Sequence, residues 1–240
     1  MNVKVITKPA RMLLKLRRCG AVIVAAGSAS RMGGIDKIMA DLNGEPVIVH
    51  SVRAFQECPA IKEIVVVTTP DKLTQIMGLC HQFSKLTAVV AGGSSRPESV
   101  ANGINALSTT VELVAVHDGA RPLVTWELID QTVRAAGSYG AAAPGIPVKD
   151  TIKIVKGGLV SSTPDRATLQ AIQTPQVVDI DVLRAALKKA AAEGVNITDD
   201  CSAVEYMGMS VKIVPGDERN LKITTPLDLK MAQMILEGAL

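Results

Sequence analysis

The segment Ala21-Val22-Ile23-Val24-Ala25-Ala26-Gly27-Ser28-Ala29-Ser30-Arg31-Met32-Gly33-Gly34-Ile35-Asp36-Lys37 decides how the rest of the chain is read. Residues 21–26 form a short apolar run that ends at Gly27. A run of this length, apolar on both faces, is expected of a strand buried inside a parallel sheet. A loop of small residues at the carboxyl end of such a strand is the usual place for a ligand crevice. Small side chains let backbone N–H groups approach phosphate oxygens closely. Arg31 offers a planar fork to one phosphate and Lys37 a compact charge to another. The plain alternative is a solvated loop with ordinary surface cations. The spacing is not G-x-G-x-x-G, which argues against a dinucleotide-dependent dehydrogenase. It is not G-x-x-x-x-G-K-[ST] either, because Met32 stands where the second glycine belongs.

The pattern continues outward from this segment. Pro46 opens an amphipathic helix through Phe55, since proline suits a first helical turn. Ile64–Thr68 is the second strand, 71–80 a helix and 86–90 the third strand. Gly92-Gly93 is a turn, Pro97 starts a helix through Leu107, and Leu113–Val116 is the fourth strand. Strands alternating with helices imply a mostly parallel sheet with right-handed crossovers. After residue 138 the rhythm changes. Segment 141–174, with Pro144, Pro147 and Gly157-Gly158, is expected to form short strands and turns without a helix, as an antiparallel arm. A helix at 180–192, a strand at 211–214 and a helix at 226–238 complete one α/β domain over 20–240 that carries a β insertion.

Composition narrows the function. The chain has 240 residues, 48% hydrophobic and 20% charged, with a net charge of +3. That supports a sizeable core and excludes intrinsic disorder. No apolar run approaches the roughly 18 residues of a membrane-crossing helix. Two Phe, two Tyr and one Trp leave few stacking faces for single-stranded nucleic acid. Residues 1–18 hold Lys4, Lys8, Arg11, Lys15, Arg17 and Arg18 and no acid. Removing these six from the 26 basic residues leaves 20 against 23 acids, which is no DNA-binding balance. Residues 1–19 are accordingly read as a dispensable basic extension. A weak membrane-surface contact, or a true start at Met12, are the alternatives. The four cysteines, with no C-x-x-C, point to a reducing cytoplasm and away from a metal cluster or disulfide framework.

Further motifs carry chemistry. Gly92-Gly93-Ser94-Ser95-Arg96-Pro97-Glu98-Ser99 joins a glycine turn to a helix start, which suits anions or base carbonyls. It also fits a plainly capped helix. Asp118, in His117-Asp118-Gly119-Ala120-Arg121-Pro122, is expected to project into the same crevice as the first loop. A carboxylate facing a triphosphate usually implies a bridging Mg²⁺, and an Asp capping the next turn is the alternative. His117 points to the opposite face from Asp118 and is read as structural. Arg166 lies in the arm and Lys222 after the last strand, each reaching an anion or solvent. Thr198 or Asp199 is placed to cap a helix, and Thr198 to meet a substrate phosphate. No G-x-S-x-G elbow occurs.

In order, A-A-G-x(3)-R-M-G, Lys37, G-G-x(2)-R-x(2)-S-V, H-D-G-A-R-P, P-V-K-D-T-I-K, D-R, I-T-D-D and N-L-K-I-T-T-P-x-D-L resemble the 2-C-methyl-D-erythritol 4-phosphate cytidylyltransferases over residues 20–238. The resemblance implies a Rossmann-like nucleotidyltransferase domain, with CTP and a methylerythritol phosphate as substrates and Mg²⁺ as cofactor. It implies that Arg31 and Lys37 hold the triphosphate and that Lys222 acts on the α-phosphate from the other side. Arg166, Thr198, Asp118 and Arg121 would serve the alcohol phosphate, with Asp118 also facing the metal. Ala25, Ala26, Gly27, Gly93, Ser94 and Ser99 would frame cytidine. The arm implies a homodimer in which Arg166 enters the neighbouring subunit's site. Gly-Gly-Ile-Asp before Lys37 departs from the family, which often has proline there. The rival readings are a cytidylyltransferase for another polyol phosphate such as ribitol 5-phosphate, a sugar-1-phosphate nucleotidyltransferase, and a non-catalytic nucleotide-binding regulator. The regulator would need neither Arg31 nor Lys222.

Overall fold

The computed structural model describes residues 17–27 and 36–239. The chain runs through β1 (Cys19–Val24), a short hairpin of β2 (Asp41–Leu42) and β3 (Glu45–Pro46), α1 (Val47–Glu57), β4 (Ile61–Thr68), α2 (Leu73–Cys80), β5 (Leu86–Ala91), α3 (Arg96–Ala106) and β6 (Leu113–Asp118). There follow α4 (Trp126–Tyr139), β7 (Ala141–Pro147), β8 (Ile154–Lys156), β9 (Leu159–Ser162), β10 (Gln170–Ile172), β11 (Gln176–Asp179), α5 (Ile180–Glu193), α6 (Asp200–Tyr206), β12 (Lys212–Pro215) and α7 (Pro226–Leu236).

Eight strands make one mixed sheet, ordered β10-β7-β11-β6-β1-β4-β5, with β12 also paired to β7. β6, β1, β4 and β5 are parallel. β11 runs antiparallel to β6 and β7, and β12 parallel to β7. The chain first moves outward from β1 to β4 and β5, then returns to place β6 on the other side of β1. The carboxyl ends of β1 and β6 therefore flank a topological switch point, where open α/β sheets bind ligands.

The apolar runs fit this burial. Ala21, Val22 and Ile23 are all inaccessible to solvent because helices cover both faces. Ala21, Ile23 and Ile64 pack with Phe55, Ile76 and Ile129 on one side. Val22, Val65 and Val67 pack with Ile104, Leu183 and Val204 on the other. Local signals fix the helix starts. Pro46 precedes α1, and the side chains of Ser95, Thr125, Asp179 and Asp199 accept the first free N–H groups of α3, α4, α5 and α6. Among the described residues, no helix is long and apolar enough to cross a membrane.

Two expectations change. Helix α4 is additional to the sequence-based reading, although Thr125 caps it and Leu128, Ile129, Thr132, Val133 and Ala136 form its buried stripe. The arm expected over 141–174 is also narrower. Residues 141–147 and 170–172 belong to the main sheet as β7 and β10. Ala141, Ala142 and Ala143 are fully buried, so tertiary burial overrides the weak strand preference of Ala, Pro and Gly. Only 148–169 leave the sheet. They carry an exposed ribbon of β8 and β9 turning at Gly157 and Gly158, and a single 3₁₀ turn at Arg166–Thr168.

Gly103 shows how closely α3 lies on the sheet. A Cβ there would collide with Val22 and reach 2.8 Å from Val67 Cγ2. In an open helix Gly→Ala gains up to about 1 kcal/mol. Here Gly103→Ala is expected to lose about 1–3 kcal/mol by overpacking. Urea unfolding checks the sign, and a stabilised variant would contradict the close approach.

Candidate active site

A cavity of about 370 Å³ opens at the carboxyl ends of β1 and β6, within the usual size of a small-molecule site. Ala25, Ala26 and Gly27 form its floor after β1, and Lys37 and Ile38 one side. Gly93, Ser94, Ser95, Arg96 and Ser99 come from the turn before α3 and its first helical turns. Asp118 ends β6, Ala120 follows it, and Lys222 completes the lining. A Cβ on Gly27 would stand 3.8 Å from Lys37 Nζ, so the ammonium lies against the glycine. Asp36 turns away from the cavity. It pairs with Lys72 at 2.7 Å and accepts the Ile38 N–H. The unusual acid before Lys37 is thus neutralised from outside.

Asp118 is the electrostatic centre. Its Oδ2 lies 2.9 Å from Lys222 Nζ and 3.5 Å from Arg121 Nε. Burial alone would push its carboxyl up, but the charges of Lys222, Arg96 and Arg121 hold it at about 2. Arg121 stands behind Asp118, outside the cavity wall, and donates from Nη1 to the Asn220 carbonyl at 2.7 Å.

A buried polar clamp fixes this arrangement. His117 Nε2 lies 3.1 Å from the Arg121 carbonyl, so that nitrogen carries the proton. Nδ1 is then the acceptor for Thr174 Oγ1 at 3.0 Å, and Thr174 Oγ1 accepts the Asp118 N–H at 3.1 Å. Asn220 Nδ2 donates to the Thr174 carbonyl at 2.9 Å. Gln173 Nε2 donates to the Asp217 carbonyl at 2.8 Å. The strand end carrying Asp118 is thereby tied to the loop carrying Lys222. His117 is structural, as expected. Its burial against Phe55 pushes the imidazole down to about 4.

The predicted residues divide by location. Ala25, Ala26, Gly27, Lys37, Gly93, Ser94, Ser99, Asp118 and Lys222 meet in one wall. Arg166 sits on the exposed arm and donates to the Lys149 carbonyl at 2.7 Å, apart from the cavity. Thr198 is exposed beside Ser202 at the start of α6, where Asp199, not Thr198, is the cap. Arg31 lies outside the described residues, as does the basic extension up to residue 16. Arg96 is the cation missing from the sequence-based set. Its guanidinium pairs at 2.7 Å with Asp200, which is 1% exposed and whose carboxyl burial pushes up. The motif contains Arg96, but its partner lies 104 residues away and leaves no local signal.

The family model for 2-C-methyl-D-erythritol 4-phosphate cytidylyltransferase matches residues 19–238. The chain belongs to that family. Membership makes it a nucleotidyltransferase. A cytidylyltransferase of this name from Caldanaerobacter subterraneus subsp. tengcongensis is 47% identical over 221 residues, covering 90% of this chain and 97% of the relative. One from Symbiobacterium thermophilum is 44% identical over 218 residues, covering 90% and 92%. Among solved structures, the 4-diphosphocytidyl-2C-methyl-D-erythritol synthase of Anaerococcus prevotii superposes with a TM-score of 0.84 at 30% identity. It covers 92% of this chain and 99% of that one.

The clamp has a pH signature. Native His117 resists protonation down to about 4, whereas an unfolded histidine takes up its proton near 6.5. On acidification the unfolded state therefore binds more protons, and stability falls as pH drops below about 6.5. Urea unfolding is expected to show a loss of roughly 2 kcal/mol between about pH 7 and pH 5. A flat profile would mean that native His117 is charged or solvated.

Proposed function

We propose that the chain joins CTP to 2-C-methyl-D-erythritol 4-phosphate, giving the cytidine diphosphate alcohol and pyrophosphate, with the residues of the switch-point cavity in the following roles. The observation that carries this reading is that Lys37 and Lys222 line one cavity, where Asp118 is paired to Lys222. An oxygen of the alcohol's phosphate attacks the α-phosphorus of CTP. The bond from that phosphorus to the bridging oxygen breaks, and pyrophosphate leaves with its electron pair. A phosphate monoester is already anionic, so no strong base is required. The work is positioning and charge stabilisation.

Lys37, with Arg31 six residues before it in the sequence, neutralises the triphosphate. Lys222 stabilises the crowded α-phosphorus, and Arg96 adds a third cation from the α3 side. Ala25, Ala26, Gly27, Gly93, Ser94 and Ser99 frame cytidine. Asp118 orients Lys222 and meets substrate hydroxyls, with Arg121 buttressing it. Among the described residues no group of three or more His, Cys, Asp or Glu is arranged for an ion, and Asp118 is the one carboxylate in the described wall. This donor set fits Mg²⁺ held mainly by triphosphate oxygens with a single protein carboxylate. Bound so, Mg²⁺ would supply further charge neutralisation at the phosphates.

Arg166 and Thr198 grip the alcohol phosphate, with Arg166 delivered by the arm of a second subunit. The exposed apolar side chains of Ile154, Val155, Leu159 and Val160 on the ribbon support a homodimer through the arm. Four free, buried cysteines support a cytoplasmic setting.

Pyrophosphate release from CTP, Mg²⁺ and methylerythritol phosphate tests the reaction, with ribitol 5-phosphate as the competing alcohol. Lys222→Ala is expected to lower kcat by two to three orders of magnitude, the usual cost of one transition-state contact of about 3–4 kcal/mol. Near-normal turnover would remove Lys222 from the mechanism. Arg166→Ala should raise KM for the alcohol phosphate more than for CTP, and equal effects would take Arg166 out of that pocket. Sedimentation at micromolar concentration checks the dimer, and a monomeric mass would sink the shared site.

A further inference from the structure

The turn between β5 and α3 is organised around Glu98. This residue is the third of α3 and stands three places after the capping Ser95, the spacing of a capping box. Its carboxylate is used one residue earlier than that motif expects. Glu98 Oε2 accepts from the Ser94 N–H at 2.7 Å and from Ser94 Oγ at 2.6 Å. The neighbouring Gly93 N–H donates to Ser99 Oγ at 3.0 Å. The helix that follows therefore takes up both amide donors of the turn. Gly93 permits this, because a Cβ there would collide with Glu98 Cγ and Cδ.

Gly93 and Ser94 line the cavity, whereas Glu98 lies behind them, facing a groove between α3 and α5. In a trans peptide the carbonyl of one residue points opposite to the N–H of the next. Anchoring the Ser94 N–H on Glu98 thus aims the Gly93 carbonyl away from Glu98, toward the cavity. Cytosine presents an amino donor at C4, where uracil-type bases present a carbonyl acceptor. A fixed carbonyl accepts the first and repels the second.

We propose that Glu98 is a specificity-determining residue that selects cytidine over uridine nucleotides by fixing the orientation of the Gly93–Ser94 peptide. The inference rests on the cytidylyl-transfer reading and deepens it. Glu98 touches no substrate. It acts through the peptide that does, so it is a positioning residue.

The test compares wild type, Glu98→Ala and Glu98→Gln. CTP and UTP dissociation constants are measured by calorimetry, and pyrophosphate release is measured with each nucleotide and methylerythritol phosphate. Wild type is expected to prefer CTP. Glu98→Ala should lose about tenfold of that preference, the scale of one charge-assisted hydrogen bond. The loss should fall on KM for CTP more than on kcat. Glu98→Gln keeps an acceptor oxygen and should retain most of the preference. A purely structural role at the helix start would lower the melting temperature and leave the CTP-to-UTP ratio unchanged. That result overturns the proposal, as does a wild type that binds both nucleotides equally. If wild type binds CTP yet releases no pyrophosphate, the reaction reading fails, and the ratio of dissociation constants still decides the role of Glu98.

Discussion

Thr174 makes three hydrogen bonds that hold the functional end of the molecule together. Its hydroxyl meets His117 Nδ1 and accepts the Asp118 N–H, and its carbonyl accepts from Asn220. Asn220 is fully buried, and its own carbonyl receives Arg121. These groups come from three stretches distant in sequence: the end of β6, the segment before β11, and the loop before α7. In a dry interior each unmade bond would carry the desolvation penalty of its group, on the order of 1–3 kcal/mol. These bonds are made together in one geometry, which pairs Lys222 with Asp118, while Asn220 Oδ1 and Arg121 Nε are left without a hydrogen-bond partner. Relative position at the site is thus set by buried polar chemistry, while the apolar core on either side of the sheet supplies the rigid frame.

Charge is distributed so that the cavity stays cationic without being unstable when empty of anions. Lys37, Arg96 and Lys222 face one carboxylate, Asp118. Lys222 rests on Asp118 and Arg96 on buried Asp200. Charges held in place in this way need little reorganisation when an anion binds among them.

The parallel half of the fold is legible in the sequence because its signals are local. Apolar runs ended by glycine or proline mark β1, β4 and β5, and Pro97 after the Gly92-Gly93 turn marks α3. The other half is less so. Ala141–Ala143, Pro144 and Gly145 have poor strand character, and only their burial between β11 and β12 makes them a strand. α4 carries its own cap and apolar stripe but falls where the alternation breaks. At the site, Lys37, Asp118 and Lys222 follow strands or precede a helix, so topology alone brings them together. Arg96 with Asp200, and Thr174 with Asn220, depend on pairing across 104 and 46 residues. Periodicity carries no trace of such contacts. Arg166 and Thr198 lie off this cavity wall.

The order in which the chain leaves the ribosome gives the clamp a further meaning. Every strand of the main sheet precedes Asn220 and Lys222 in the chain. Until the loop before α7 is in place, the end of β6 holds an acid without its main counter-charge. The clamp is therefore complete only when nearly the whole chain has been made and folded.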